Sequence, residues 1–555
     1  MKIKLEVKIS LLIFVSLFLL LCLPPGTWAA GNNYIRSFAT YIGGTEWENI
    51  RGVTVDRQGY IYITGGTNSA DYPRTFGPAH QSGTRGTCVA VSCSDIFVTK
   101  FAADGQSIVW SRLIGTAGHD RAYGIKYHEV GGVGYLLVYG RMGRNYTMTP
   151  GVLQTQFKGP DYGSGGYGYQ NGFVGKLNPS TGDIIWISYV GTDTLVRNAD
   201  VDEIGNVYII TGYAPVGSTA EPSPCAPSVS GCLPWYNKFG GSAYPNPMGD
   251  RDAVILKVSG DGTSVIWATY YGGTGSEDPA GGISVDRSTK EVIIMMQSNS
   301  TGLATSGIFS QGASYHGGIT DFLIAKFNST GKSRLWSGYL GGSAAEPYGC
   351  KNIMVEQATG NVIIAAPTRS SNFPTTSGAY QTTPGGGGGN SFVSKISADG
   401  KTLIGSTYIS GNSTMSNVEG FDLNSRGEVV IGFGLEATSN FPLTADAFQS
   451  AFQGTRNGAI AVLSNNLTRL IYSTYYGNGN DEFRALAVDV NDNIIAAGHS
   501  TAGSFPTYRA YRSTRNISFT RYWSGGYNVD GTIVKISLST GVTTPSGATR
   551  GLKIK

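Results

Sequence analysis

The chain has 555 residues, of which 80 are glycine, 32 are tyrosine and only 14% are charged, so it is poor in helix formers and rich in residues that suit strands and turns. Its formal charge of +4 is dispersed, with no basic stripe, which sets nucleic-acid binding aside. A chain of this length exceeds one average domain, and internal repetition has to be sought before domains are counted.

The N-terminus reads MKIKLEVKISLLIFVSLFLLLCLPPGTWAAG, with lysines, then an apolar run from Leu11 to Leu23, then Thr27-Trp28-Ala29 in a small-x-small pattern. Residues 1–29 therefore read as a secretion signal peptide. The apolar run is short for a membrane span, and Leu21 before Cys22 argues against lipoprotein processing. No second apolar segment of membrane length follows, so the expectation is a secreted protein, extracellular or at the cell surface, with the periplasm as a further location and no transmembrane anchor after cleavage. Cys88 and Cys93 bracket VAVS, and Cys225 and Cys232 bracket APSVSG; both pairs are expected as disulfides closing short loops in an oxidising compartment, with Cys350 left over. The scattered histidines and the lack of a CxxC pair give no zinc site.

From Tyr34 onward one phrase recurs. The tyrosine of TYxGG falls at Tyr41, Tyr189, Tyr270, Tyr339, Tyr408 and Tyr475, with Leu113 in its place in one copy. The spacing of about 70 to 80 residues is too long for solenoid coils, and seven copies is a propeller number. Each copy holds four strand-like runs, such as GVTVD from Gly52, YIYITGG from Tyr60, DIFVTKF from Asp95 and SIVWSRLIG from Ser107. Asp-Gly turns such as ADG at Ala103 and Ala398 join the third run to the fourth. The chain opens on a fourth-type run, YIRSFATYIGG, and its seventh copy stops after the third-type run TIVKISL. The expected fold is all-β: a closed seven-bladed β-propeller over residues 34–545, with four-stranded blades, the last completed by the N-terminal strand, and a tail at 546–555. Three residues before the TYxGG tyrosine stand Phe38, Trp110, Trp186, Trp267, Trp336, Gly405 and Tyr472, a series expected to pack between blades.

These phrases, with NFPTTSGAYQTT from Asn372, NFPLTADAFQS from Asn440 and SFPTYRAY from Ser504, resemble the SBBP family of bacterial β-propeller repeats over nearly the whole mature chain. Copies two to four depart from the family by losing FPTT. The resemblance implies an exported or surface protein more than it implies a mechanism.

Five positions before the first apolar residue of the inner run stand Glu48, Asp120, Asp278 and Asp481, with Asp193 and Glu346 nearby in other copies. Gathered at one mouth of a central channel, these acids can bind a structural cation such as calcium or the hydroxyls of a sugar, with Arg51, Arg121, Arg197 and Arg484 neutralising part of the charge. The competing reading has each acid hydrogen-bonding the backbone of its own loop. Asp56, Asp202, Asp286 and Asp489 read as Asx-turn formers. NPSTGDIIW from Asn178 is similar to a docking phrase of quinoprotein dehydrogenases, but the other copies differ in spacing and no cofactor is expected. No catalytic residue is assigned, because GxSxG and HExxH phrases are missing.

The expected function is that of a non-enzymatic binding or structural module, with a protein or polysaccharide at the cell surface as partner. The alternatives are a lyase or glycosidase using the mouth acids, and self-assembly into a filament or surface layer through Tyr- and Gly-rich loops such as those at 160–169 and 385–389.

Overall fold

The structure, a computed structural model, describes residues 33–77, 94–159, 169–191, 195–213, 251–347, 352–414, 416–436, 440–501, 503–516 and 529–539. The signal segment, the tail, Asp193 and all of the cysteines, including Cys88, Cys93, Cys225 and Cys232, lie outside these residues. Tyr34–Ser537 form one compact unit.

That unit is a ring of seven four-stranded antiparallel sheets. Blade 1 runs Glu48–Val55, Ile61–Thr67, Asp95–Phe101 and Ile108–Ile114, from the axis outward, and blade 2 runs Arg121–Val130, Val133–Met142, Asn171–Leu177 and Ile184–Val190. The inner strands of blades 3 to 6 are Asn198–Val201, Glu277–Val285, Ile353–Glu356 and Ser416–Leu423. Blade 7 takes Asp481–Val488, Ile494–Ser500 and Asp530–Ser539 from the end of the chain, and its fourth strand is Asn33–Ile42 from the beginning. The expected closure is what the structure has, and it removes the unpaired edge that an open seventh sheet would leave.

The repeated run types follow from where each strand sits. Second and third strands such as Ile61–Thr67 and Asp95–Phe101 are buried along their whole length, because blades stack on both of their faces. Fourth strands lie at the rim, and Val109, Ile185, Ile266, Leu335 and Ile404 point outward there. Inner strands approach one another so closely that a Cβ on Gly52 would stand 2.8 Å from the Ile125 nitrogen, and one on Gly420 2.7 Å from that of Leu486. Two residues past Gly52, Asn198, Gly282 and Gly420, which hold the same place in their blades, a polar side chain stitches the ring: Thr54 accepts from the Tyr127 N–H at 3.1 Å, Asp200 from Val285 at 2.9 Å, Ser284 from Val355 at 3.1 Å, and Asp422 from Val488 at 2.9 Å.

The aromatic series packs between blades, as its repetition implied. Trp110, Trp186, Trp267 and Trp336 each donate an indole N–H to a carbonyl in the turn before the next blade's fourth strand, at 3.0 to 3.1 Å. Each ring also lies against a turn glycine, Gly182, Gly262, Gly331 and Gly400, and Phe38 meets Gly105 the same way, closing the series across the chain ends. These glycines hold φ of 67–75°, where a side chain would be strained as well as obstructed. The Asx turns are also present: Asp56 Oδ1 accepts the N–H groups of Gln58 and Tyr60, and Asp489 Oδ1 those of Asn491 and Asn493.

Candidate functional site

The repeated acids sit where one blade hands the chain to the next. At the approach to four of the inner strands the backbone N–H reaches back to the carbonyl just before the preceding blade's third strand: Glu48 to Val529 at 2.8 Å, Asp120 to Ser94 at 2.7 Å, Glu277 to Arg251 at 2.7 Å, and Glu346 to Thr320 at 3.0 Å. The side chains fold over the same junction. Asp120 accepts the Thr116 N–H at 2.6 Å, Glu277 that of Gly273 at 3.0 Å, Glu346 that of Gly342 at 3.0 Å, and Asp481 those of Asn478 and Gly479, both at 2.8 Å. Hydroxyls at the end of the second strand or just past it complete the staple, from Thr67 to Glu48, Ser298 to Glu277 and Ser370 to Glu346, each at 2.7 Å.

Glu48 and Asp120 are 0% exposed and Asp481 is 1% exposed, so these three acids are engaged inside their own loops rather than presented to a channel mouth. Burial pushes Glu48 up to about 8, with the charge of Asp530 adding to it, and pushes Asp120 to about 6 and Glu346 to about 7. The fourth residue, Asp278, is one place out of phase. The inner strand of blade 4 shifts register between Asp278 and Gly282, with an extra residue compared with blade 1, so Glu277 takes the buried position and Asp278 pairs with Arg251 at 2.8 Å. Among the described residues no group of three or more His, Cys, Asp or Glu is arranged to hold a metal ion.

A different set of charges converges on the axis. The residue just before the inner-strand glycine, or before the residue in its place, is Arg51 in blade 1, Tyr123 in blade 2, Arg197 in blade 3, Gly281 in blade 4, Glu419 in blade 6 and Arg484 in blade 7; the blade 5 counterpart, Lys351, lies outside the described residues. Glu419 spans two of them, accepting from Arg51 at 2.5 Å and from Arg484 at 2.6 Å. Glu482 bonds Arg484 and, at 2.8 Å, Arg456 from the third strand of blade 6. On the other side, the guanidinium carbons of Arg121, Arg197, Arg141 and Arg51 stand 5.1, 5.3, 5.8 and 5.9 Å from the Tyr123 ring centroid. Arg141 donates to His119 Nε2 at 2.6 Å, which leaves Nδ1–H to donate to Ser94 Oγ at 2.8 Å.

This clustering perturbs its members. Burial pulls Arg484 down to about 9, with Arg51 next among the causes, and pulls Arg121 to about 10 against the opposing influence of Tyr123. Burial also drives His499 well below its usual range, helped by Arg484, Arg456 and Arg51. Arg51 and Arg484 thus share Glu419, Arg484 also meets Glu482, and Arg51, Arg121 and Arg197 gather around the Tyr123 ring. Arg141, Arg456 and Tyr123 were missed; the signal available for Tyr123 was its place one residue before the inner-strand glycine, alongside Arg51 and Glu419.

Residues 38–73 match the family model described as SBBP, Beta-propeller repeat. No curated protein matches the chain. Solved structures similar to it include the WD40 β-propeller domain of Doa1, at 10% identity, covering 91% of this chain and 98% of that one with a TM-score of 0.39. A Dyadobacter fermentans protein of unknown function matches at 10% identity over 91% and 100% of the two chains, with a TM-score of 0.38. A quinohemoprotein alcohol dehydrogenase from Comamonas testosteroni matches at 9% identity over 96% and 80%, with a TM-score of 0.39.

Proposed function

We propose that this seven-bladed propeller, with an SBBP repeat in its first copy, is an exported, non-enzymatic binding module that works at the cell surface or outside the cell and takes anionic ligands at the axial end of its inner strands. The observation that supports this reading is the division of charge. The junction acids are engaged by backbone N–H groups and hydroxyls, where they are not placed to protonate a leaving group or activate water. The arginines gather where the ring narrows and two carboxylates are shared among three of them. An acidic polysaccharide or an acidic protein segment is the kind of cell-surface partner such a field attracts. The test incubates the purified protein with a polyuronate and with a neutral glucan, measuring binding by calorimetry and new reducing or unsaturated ends in the same samples. Binding of the polyuronate without cleavage is expected. Cleavage that disappears in Asp120→Asn would return the lyase reading.

Self-assembly has one specific observation in its favour. Phe448, Tyr508 and Tyr511 are 42%, 40% and 37% exposed, and Arg36 lies over the first two rings at 4.4 and 4.6 Å, making an aromatic patch at the rim. Light scattering on the purified chain tests it, with Tyr508→Ser expected to abolish any assembly built on this patch.

A further inference from the structure

The corner of the axial cluster around Tyr123 carries more than a general attraction for anions. Four guanidinium groups lie within 6 Å of one phenol ring, as given above, and they come from three blades: Arg51 from blade 1, Arg121 and Arg141 from blade 2, and Arg197 from the approach to blade 3. Guanidinium groups stay charged at neutral pH, so the corner concentrates positive charge in a partly desolvated place.

Arg121 sharpens the point. It is only 4% exposed, and its Nη2 donates to the Tyr123 hydroxyl at 3.2 Å. Its Nε and Nη1 are buried with no hydrogen-bond partner among the described residues. A buried guanidinium with two donors unmet is costly, by several kcal/mol per ion when charge is uncompensated. Arg51 and Arg197 beside it are partly exposed, which gives a solute a way to the corner from solvent. The phenol points the same way: burial alone would raise Tyr123, yet the charges of Arg141, Arg121 and Arg197 bring it down to about 7.

The ligand chemistry follows from the directions of approach. A carboxylate accepts in one plane and carries one charge, whereas these four forks arrive from three separate blades. A tetrahedral oxyanion with two charges offers acceptors in several directions at once and answers both the geometry and the charge. We propose that the Arg51, Arg121, Arg141, Arg197 and Tyr123 corner is a binding site for a phosphate dianion, either the free ion or the terminal phosphate ester of a larger molecule, with Arg121 Nε and Nη1 as its innermost donors. This rests on the anion-binding reading above and narrows it to one group.

The experiment uses the full mature chain, with inorganic phosphate, glycerol phosphate and citrate as probes at matched ionic strength, read by thermal melts and calorimetry. Inorganic phosphate is expected to raise the melting temperature saturably. In Arg121→Met that response is expected to weaken by at least about tenfold in affinity, while the melting temperature without phosphate stays level or rises because an uncompensated buried charge has gone. Arg197→Gln, at a partly exposed position, is expected to weaken phosphate binding with the fold intact. If Arg121→Met lowers the melting temperature by several degrees and leaves the phosphate response unchanged, Arg121 is structural and the inference is overturned. Glycerol phosphate binding as well as free phosphate identifies an ester as the natural ligand; its rejection identifies the free ion. Citrate binding through Arg121 without any phosphate binding overturns the phosphate site and leaves the anion-binding module standing. Failure of all three probes and of the polyuronate overturns both.

Discussion

Leu467 fills the space that Gly405 leaves. At the junction of blades 5 and 6 the aromatic of the fourth strand is replaced by Gly405, and the turn residue facing it, a glycine at the five junctions of Phe38, Trp110, Trp186, Trp267 and Trp336, is Leu467. Leu467 is fully buried with φ of 60°, and a Cβ on Gly405 would stand 3.3 Å from its Cδ1. Large and small have changed sides while the contact between blades is kept.

The exchange predicts a coupling. Gly405→Trp alone drives an indole into Leu467, an overpacking that costs about 1–3 kcal/mol. Leu467→Gly alone empties a buried site at about 2–5 kcal/mol, offset in part by about 1 kcal/mol of relieved backbone strain. The double variant rebuilds the arrangement of Trp336 against Gly400, so its loss should be smaller than the sum of the two by about 1 kcal/mol or more. Urea denaturation of the four proteins measures this; simple additivity would mean the two residues do not share a space.

The junction acids predict how stability changes with pH. Glu48 and Glu346 ordinarily titrate near 4.5 but are raised to about 8 and about 7, burial being the larger cause in both. The folded chain therefore favours their protonated forms. The stability they contribute is whole below about pH 4.5 and is lost as pH rises through 7 to 8. The melting temperature should fall between pH 5 and pH 8, and Glu48→Gln should flatten that slope. A wild-type protein that melts higher at pH 8 than at pH 5 would contradict the assignment.

Glu419 predicts a large single-site effect. It is shared between Arg51 and Arg484 and is about 10% exposed as a side chain. Glu419→Ala leaves two guanidinium groups without their common carboxylate, a loss of about 3–5 kcal/mol for breaking a buried pair. The readout is the urea midpoint at unchanged slope, compared with Lys401→Ala, whose ion pair with Asp399 is exposed on both sides and should cost at most about 1 kcal/mol.

Much of the ring was legible because its constraints repeat. Runs such as IYITGG carry apolar or small residues at successive positions since blades cover both faces, and Trp110 and its counterparts at Trp186, Trp267 and Trp336 recur because each meets the same turn glycine. Asp278 was misread for a local reason: counting back from Ile283 assumes the strand geometry of blade 1, and the irregularity before Gly282 breaks that count. Arg141 and Arg456 were beyond reach for a different one. They sit on second and third strands, outside the inner-strand positions that were compared: cross-strand pairing sets Arg141 opposite Arg121 in blade 2, and the junction of blades 6 and 7 sets Arg456 against Glu482.

The N-terminal strand predicts a truncation result. Removing residues 33–42 leaves blade 7 with three strands and an open edge at Asp530–Ser539. The shortened chain should run as aggregates on size exclusion, and a synthetic peptide of residues 33–46 added during refolding should restore a monomer. A monomeric truncated chain with unchanged melting would show that the closing strand is dispensable.

The closing strand also orders events in time. Ser37 and Ser537, whose hydroxyls meet across the seam, are separated by 500 positions along the chain. The first strand to be synthesised is therefore the last to find its partners, and six blades can stack while it waits. Contacts of such separation form slowly, and until they do the partly built ring keeps a sticky edge at each side of the gap. Completion of the seam waits for Asp530–Ser539 to arrive, so a chain cut short before that strand is left without a finished blade 7.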